Sequence, residues 1–473
     1  MNYETVIGLE VHVELLTDSK LFCSCPNSFG KIPNSLTCPI CMGLPGALPS
    51  LNRRAVEYAI RTGLALGGTI NPISIMDRKN YFYPDLPKSY QISQLYFPIC
   101  LGGAVDIGEK SIRIHELHLE EDAGKLIHDD SAGRTFVDYN RCGVPLIEIV
   151  TEPDIRSGDE AVRFLDNLRR TLKFIGVSDC KIEEGSMRVD VNLSVRKLGS
   201  DKLGTRTEMK NLSSFKAVSK AVEYESARQQ TLIENGEIVV METRRWDENK
   251  CVTIGMRPKE EAYQYKYFPD PDIEPIVTNE AYLTEVRSDM CELPSVLKRK
   301  MIEEDGLPEY DSDILTSEPF LAELYKVTRD ITESAKDSSN WILTEFLKLW
   351  CNESDWNSMR KESLGELIVL VNSGKISRQT GKEVLVRIYE DKVIPAEYVE
   401  ENKLAMITDA EIIGKAVQNV IEQNPRSYAE YMEGNKKNFG FLMGQTVRAL
   451  ENRGDPSVIR EVLSSYLDRG TFE

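Results

Sequence analysis

The chain has 473 residues, and 58 Lys and Arg against 76 Asp and Glu leave a formal net charge of −18. A length of this order divides into about three domains, and 41% apolar residues exclude a disordered chain. The acidic balance excludes a general nucleic-acid coat or a membrane-surface protein, both of which need a positive field.

Residues 7–15 alternate strictly, with Ile7, Leu9, Val11, Val13 and Leu15 facing one way and Gly8, Glu10, His12 and Glu14 the other. Cys23 and Cys25 are then followed by Cys38 and Cys41. Four thiolates in two close pairs match a tetrahedral zinc site, and a closed shell of four protein ligands is structural rather than catalytic. Four reduced cysteines in a loop are the alternative. The other six cysteines read as core residues. Asp77–Gln91 holds three tyrosines, two prolines and two lysines without strand or helix periodicity, and reads as a long ordered loop. Next, Ile112 and Ile114 share one parity while Leu117 and Leu119 share the other, so a bulge is expected near His115. That slip leaves Glu116, His118 and Glu120 on one side, followed by Glu121 and Asp122. Pro145–Val150 is an apolar strand with one carboxylate, Glu148. Residues 187–195 alternate again, with Arg188, Asp190, Asn192 and Ser194 on the polar face, and 205–211 set Arg206, Glu208 and Lys210 on one face.

A second proline-aromatic loop covers 263–272. From about Leu293 the apolar residues recur at spacings of three and four, as in SSNWILTEFLKLWC (338–351) and LGELIVLVN (364–372), the helical period. The expected division is an α+β domain with an antiparallel sheet over 1–292, an all-α domain over 293–405 and a small all-α unit over 406–473. Residues 415–473 hold eight basic and eight acidic residues, so the negative excess belongs to the body. No run approaches the roughly 18 apolar residues that span a bilayer, and the first residues, MNYETVIGLEVHVEL, lack a basic n-region. A cytoplasmic protein with no membrane association is expected.

The polar faces carry Glu, His, Asp, Asn and Arg in closely set groups. Hard divalent cations want carboxylate oxygens, and phosphate wants cations beside the metal. A face mixing both suits phosphoryl transfer, which is mostly positioning and charge neutralisation. An antiparallel sheet with one solvated face is the competing reading. Neither a GxxxxGKS/T loop nor a GxGxxG turn between strand and helix is present, so a nucleotide would have to sit on the sheet by way of metal.

The motifs IGLEVHVEL, CSCPNSFG…CPICMGLPGALPSLN, DRKNYFYPDLPKSYQISQ, HLEEDAGK, NRCGVPLIEIVTEPDI, EEGSMRVDVNLSVR and KYFPDPDI run in order from Tyr3 to about Pro275. With SNWILTEF, SGKISRQTGKEVL and NFGFLMGQTVRAL further on, they resemble the B subunits of aspartyl/glutamyl-tRNA amidotransferases over essentially the whole chain. The resemblance implies a glutamine-synthetase-like N-terminal cradle, followed by helical and tail domains that hold tRNA. It implies a heterotrimer with a glutaminase A subunit and a small C subunit. It further implies the use of ATP and Mg²⁺ to activate the side-chain carboxylate of Glu-tRNA(Gln) or Asp-tRNA(Asn), which ammonia arriving through a channel converts to the amide. Matched motif by motif, His12, Glu121 and Glu148 become Mg²⁺ ligands with Glu10 adjacent. Lys79, Tyr81 and Lys88 line the ammonia path or the acceptor end. Arg188, Asp190, Asn192, Glu208 and Lys210 surround the nucleotide and the activated carboxylate. No Gly-Gly-Ser-Ser-Gly amidase signature occurs, so ammonia has to come from a partner. A tRNA-binding scaffold that keeps the fold without catalysis is the competing function.

Overall fold

The computed structural model describes residues 2–129, 131, 133–258, 265–350 and 359–469. They fall into two compact units, Met1–Pro294 and Ser295–Glu473. The first unit contains β1 (Tyr3–Glu14), α1 (Arg53–Ala65), β2 (Asp77–Asn80), β3 (Tyr90–Ser93), β4 (Ser111–Glu121) and β5 (Pro145–Thr151). These are followed by α2 (Gly158–Phe174), β6 (Met187–Lys197), β7 (Thr207–Lys210), α3 (Phe215–Glu234), β8 (Glu242–Asp247) and β9 (Val252–Pro258).

A ten-stranded sheet forms its spine, in the order β9-β8-β7-β6-β1-β5-β4, extended by the short strands Cys100–Leu101 and Thr69–Ile70, with Ala104–Asp106 also on β4. The long central pairs are antiparallel as expected, but β7 and β8 run parallel, their crossover supplied by α3. The period-two pattern of β1 and β6 buries Ile7, Leu9, Val11, Val13, Met187, Val191 and Leu193 almost completely. Phe164, Leu165, Leu168 and Leu172 of α2 and Ala217, Val218, Ala221 and Val222 of α3 join the same core. Each fully buried Val, Leu, Ile, Met or Phe among them contributes roughly 1.5–3 kcal/mol relative to exposure. Helix starts are fixed by Asn52, Ser157 and Ser214, whose side chains accept amide protons from the first turns of α1, α2 and α3. With helices covering the apolar face, the Glu-, His- and Arg-bearing face of the central strands is left to the site.

Val150 opposes Glu116 whereas Thr151 opposes Ile114, so His115 is the extra residue of a bulge in β4. The segment 77–91 is not a loop throughout. Its ends pair as β2 and β3, and Phe268–Pro269 adds to β2. Asp77, Gln91, Ile92 and Ser93 are all buried while Arg78, Lys79 and Asn80 are all half-buried, so these four-residue strands show no alternation that could be read. Tyr263 and Gln264 of the second aromatic loop lie outside the described residues. Cys100, Cys142 and Cys180 are buried as expected, but Cys251 and Cys291 are exposed; Cys251 sits at φ 51° in the turn joining β8 to β9. Cys351 is outside the described residues.

The second unit is helical and holds two separate cores. One gathers Leu315, Leu324, Trp341, Phe346, Leu364, Leu367, Val384 and Ile388; the other gathers Ile413, Val417, Leu442, Ile459 and Leu463. The helix expected over 338–351 is interrupted by a π turn at Ile342–Phe346. Wider winding lets Trp341 and Phe346, five residues apart, both enter the core. Among the described residues no helix is long and apolar enough to cross a membrane.

Candidate active site

Strand register builds the site. His12 of β1 lies opposite Glu148 of β5 on one side and Arg188 of β6 on the other, and Glu148 lies opposite His118 of β4. Directly opposed residues share a face with Cβ atoms about 4.5–5.5 Å apart. One polar row therefore crosses four strands, from Arg188 through His12 and Glu148 to His118. In the neighbouring rows Glu10 opposes Asp190 and Asn192 opposes Glu208.

His12 Nε2 stands 3.6 Å from Glu120 Oε1 and 3.8 Å from Glu148 Oε1. One ligand atom from each of the three lies within 4.8 Å of the others. These gaps exceed a hydrogen bond. They lie between the cis and trans separations, about 2.9 and 4.2 Å, that octahedral Mg²⁺ with bonds near 2.0–2.1 Å imposes on its ligands. The donor set of one imidazole and two carboxylates thus fits a hard divalent ion. Burial pushes the Glu148 carboxyl up, but His12, His118 and Lys79 outweigh it and hold the group below the ordinary carboxylate range. Glu120 moves the other way, raised by burial and by the charge of Glu148, while Ser93 Oγ donates to its other oxygen at 3.0 Å. His118 is pushed up to about 10: burial opposes its charge, but Glu116 at 3.1 Å and Glu148 at 3.6 Å prevail. His118 thus lies against Glu148 and Glu116, outside the group formed by His12, Glu120 and Glu148.

Above this group lies Lys79, whose ammonium sits 5.1 Å from the centre of the Tyr265 ring and 6.0 Å from that of Tyr81. Burial opposes its charge, but Tyr267, Glu120 and Glu148 hold its pKa above the usual lysine value. Burial raises the Tyr81 and Tyr267 phenols to about 12, which keeps both as neutral donors.

Glu10, Asp190 and Glu208 make a second cluster with ligand geometry. Asn192 Nδ2 donates to Glu10 Oε1 at 2.8 Å, Thr243 Oγ1 donates to Glu208 Oε2 at 2.9 Å, and the Lys210 ammonium pairs with Asp190 and, at 3.4 Å, with Glu208. Arg188 donates to Asp122 Oδ2 at 2.8 Å, and Arg141 approaches the same oxygen at 3.3 Å. Burial, reinforced by the charge of Asp122, lifts the Glu14 carboxyl to about 8.

Glu121 is not in the His12 group; Glu120 takes the place expected for it. Consecutive strand residues point to opposite faces, and Glu120 shares parity with Glu116 and His118. Glu121 is buried on the far side, where it pairs with the Lys88 ammonium and accepts from the Ile92 amide at 3.0 Å. The Lys88 ammonium also lies between the rings of Tyr90 (5.2 Å) and Phe22 (5.7 Å). The sequence reading missed Glu120, His118 and Asp122 as site residues, although the parity that follows the His115 bulge contained the signal for the first two.

Cys23, Cys25, Cys38 and Cys41 converge, with their four Sγ atoms within 4.8 Å of one another. Cys38 and Cys41 Sγ are 3.9 Å apart, close to the edge of about 3.8 Å that a ZnS₄ tetrahedron with 2.3 Å bonds requires. The Cys41 thiol is drawn down to about 5, first by its hydrogen bond with Cys23, while burial raises the Cys25 thiol to about 11. The residues fit a structural zinc ion.

Two family models match the chain: the GatB/GatE catalytic domain over residues 5–284 and the GatB domain over 323–467. Relatives named as the B subunit of aspartyl/glutamyl-tRNA(Asn/Gln) amidotransferase align over nearly full length. That of Lachnoclostridium phytofermentans is 48% identical, covering 99% of both chains. That of Agathobacter rectalis is 48% identical, covering 98% of this chain and 100% of the relative. That of Caldicellulosiruptor saccharolyticus is 49% identical, covering 99% and 100%.

Proposed function

This chain belongs to the B-subunit family of the aspartyl/glutamyl-tRNA(Asn/Gln) amidotransferases, and from that premise we propose that it performs ATP-dependent transamidation of Glu-tRNA(Gln), Asp-tRNA(Asn) or both. It would act as a carbon–nitrogen ligase with glutamine as amide donor, in a cytoplasmic heterotrimer with a glutaminase A subunit and a small C subunit. We place catalysis in a glutamine-synthetase-like cradle over 1–292, with 293–405 and 406–473 as helical domains that hold tRNA.

A carboxylate is a poor electrophile until one oxygen becomes a leaving group, and transfer of a phosphoryl group from ATP to the aminoacyl side chain supplies one. His12, Glu120 and Glu148 would hold Mg²⁺, which when bound neutralises charge on the transferring phosphoryl group. His118 keeps Glu148 anionic and aimed. Lys79, Arg188 and Lys210 add fixed positive charge around the place where phosphate oxygens gather negative charge. Glu10, Asp190, Asn192 and Glu208 would position the triphosphate, directly or through a second cation. Neutral Tyr81 and Tyr267 can hydrogen-bond incoming ammonia without protonating it, since protonated ammonia has no lone pair for attack. Lys88 would line the path toward this point. The observation that carries the reading is the convergence of His12, Glu120 and Glu148 from three strands at ligand spacing beside Lys79.

The test is ATP-, glutamine- and tRNA-dependent amide formation by the three-subunit complex, compared with its His12→Ala form. The variant should lose ATP-dependent amidation while glutaminase turnover without tRNA persists. Undiminished amidation would remove the proposed centre.

A further inference from the structure

Lys20 is a lysine with no accessible surface. A buried ammonium costs several kcal/mol unless it is paired. Among the described residues no carboxylate lies within salt-bridge range of it. Its Nζ has two partners: the carbonyl oxygen of Tyr139 at 3.4 Å and the sulfur of Cys41 at 3.8 Å. Of these two partners, the Cys41 sulfur is the one that would carry negative charge when bound to a metal ion. The backbone fixes this meeting. The Lys20 amide donates to the Cys25 carbonyl at 3.0 Å, so the lysine is tied into the first cysteine pair. Gly143, at φ 81°, approaches both the Lys20 stem and Cys41; a β-carbon there would lie 3.7 Å from Lys20 Cδ and 3.6 Å from Cys41 Cβ.

We propose that Lys20 is a positioning residue of the Cys23–Cys25–Cys38–Cys41 centre, an outer cation that balances the charge of a tetrathiolate zinc site and retains the ion. Four thiolates around one divalent ion carry two net negative charges, which a buried site bears poorly. The ammonium cancels one of them, and the Cys38 amide, 3.1 Å from Cys41 Sγ, adds a second donor to the same sulfur. Partners of this kind are where metal affinity is tuned. The inference rests on the reading of the four cysteines as a zinc site, and it assigns Lys20 no part in amidation.

The experiment compares the purified wild-type chain with Lys20→Met, which keeps the stem and removes the charge, and with Lys20→Arg, which restores it. Lys20→Gln replaces Lys20→Met if methionine disturbs folding. Zinc per chain is measured first, followed by zinc affinity and release rate against a chromogenic chelator. The wild type should hold one zinc. The uncharged variants should bind it about 10–100-fold more weakly, with Lys20→Arg recovering part of that loss. Wild-type protein with one zinc and an unchanged affinity in Lys20→Met or Lys20→Gln would overturn the role of Lys20 alone. Wild-type protein that binds no zinc would overturn the cysteine site and the inference with it.

Discussion

Glu120 and Glu121 are adjacent, yet their side chains leave opposite faces of β4, and replacing each by glutamine separates chemistry from stability. Glu121→Gln removes the carboxylate that faces Lys88, in a pair whose side chains are only 4% and 9% exposed. Removing one partner from a buried ion pair costs about 3–5 kcal/mol. The glutamine oxygen can still accept from the Ile92 amide, which places the loss near the lower end. At about 2–4 °C per kcal/mol for a domain of this size, the melting temperature should fall by roughly 6–12 °C. Glu120→Gln acts otherwise. Burial and the charge of Glu148 raise the Glu120 carboxyl, so its ionised form destabilises the fold above its pKa, and a neutral isostere should leave the metal-free protein equally stable or more so. Ser93 can still donate to the amide oxygen. Amide formation should drop about 100-fold or more, because an anionic group is lost where phosphoryl charge must be balanced. Thermal melting of the metal-free chain and ATP-dependent amidation by the complete complex read the two effects. A fully active Glu120→Gln beside an inactive Glu121→Gln of unchanged melting temperature would refute the assignment of faces.

The cysteine centre should yield one zinc per chain. An ion bound a thousand-fold above its Kd contributes about 4 kcal/mol, so stripping it should lower melting by roughly 8–16 °C, and a chelator without effect on melting would count against the site. Glu225 is fully buried against Arg228 at 2.6 Å and Arg244 at 3.3 Å. Burial opposes its charge, but hydrogen bonds from Arg228, Gln229 and Thr253 hold its pKa below the ordinary value. A depressed carboxyl stabilises above its unfolded pKa of about 4.3 and loses that contribution as pH falls through the folded value. Glu225→Gln should therefore cost about 3–5 kcal/mol at pH 7 and flatten the acid limb of urea midpoints measured from pH 7 down to pH 3. In the tail, Lys436→Ala with Lys437→Ala should weaken tRNA binding. The slope of log K against log salt should shrink by about 0.7–0.9 for each lysine–phosphate pairing removed, and an unchanged slope would place the phosphate-binding cations elsewhere.

What the sequence disclosed follows from which physical constraint repeats along the chain. β1 and β6 bury one face and leave the other polar, so a period of two survives in Ile7–Leu15 and Met187–Val195 and sets His12, Arg188 and Asp190 on one surface before any pairing is known. The cysteine centre was readable because ligand spacing is itself the constraint. β2 and β3 were hidden because Asp77, Gln91, Ile92 and Ser93 are buried irrespective of parity. Lys20 was hidden because a lone lysine after Thr17-Asp18-Ser19 reads as surface loop; only the fold brings Cys41 to it. The choice between Glu120 and Glu121 is the instructive case. Matching the HLEEDAGK motif by resemblance selected Glu121, although both carboxylates belong to it. The bulge at His115 decides: one inserted residue reverses the parity of everything after it, turning Glu116, His118 and Glu120 toward His12 and Glu148 and sending Glu121 to Lys88. Deleting His115 should remove the bulge and leave Glu116, His118 and Glu120 on the site face, because Ile114 and Glu116 already oppose the adjacent residues Thr151 and Val150. The site therefore depends on the bulge that absorbs His115, a residue that belongs to no ligand set.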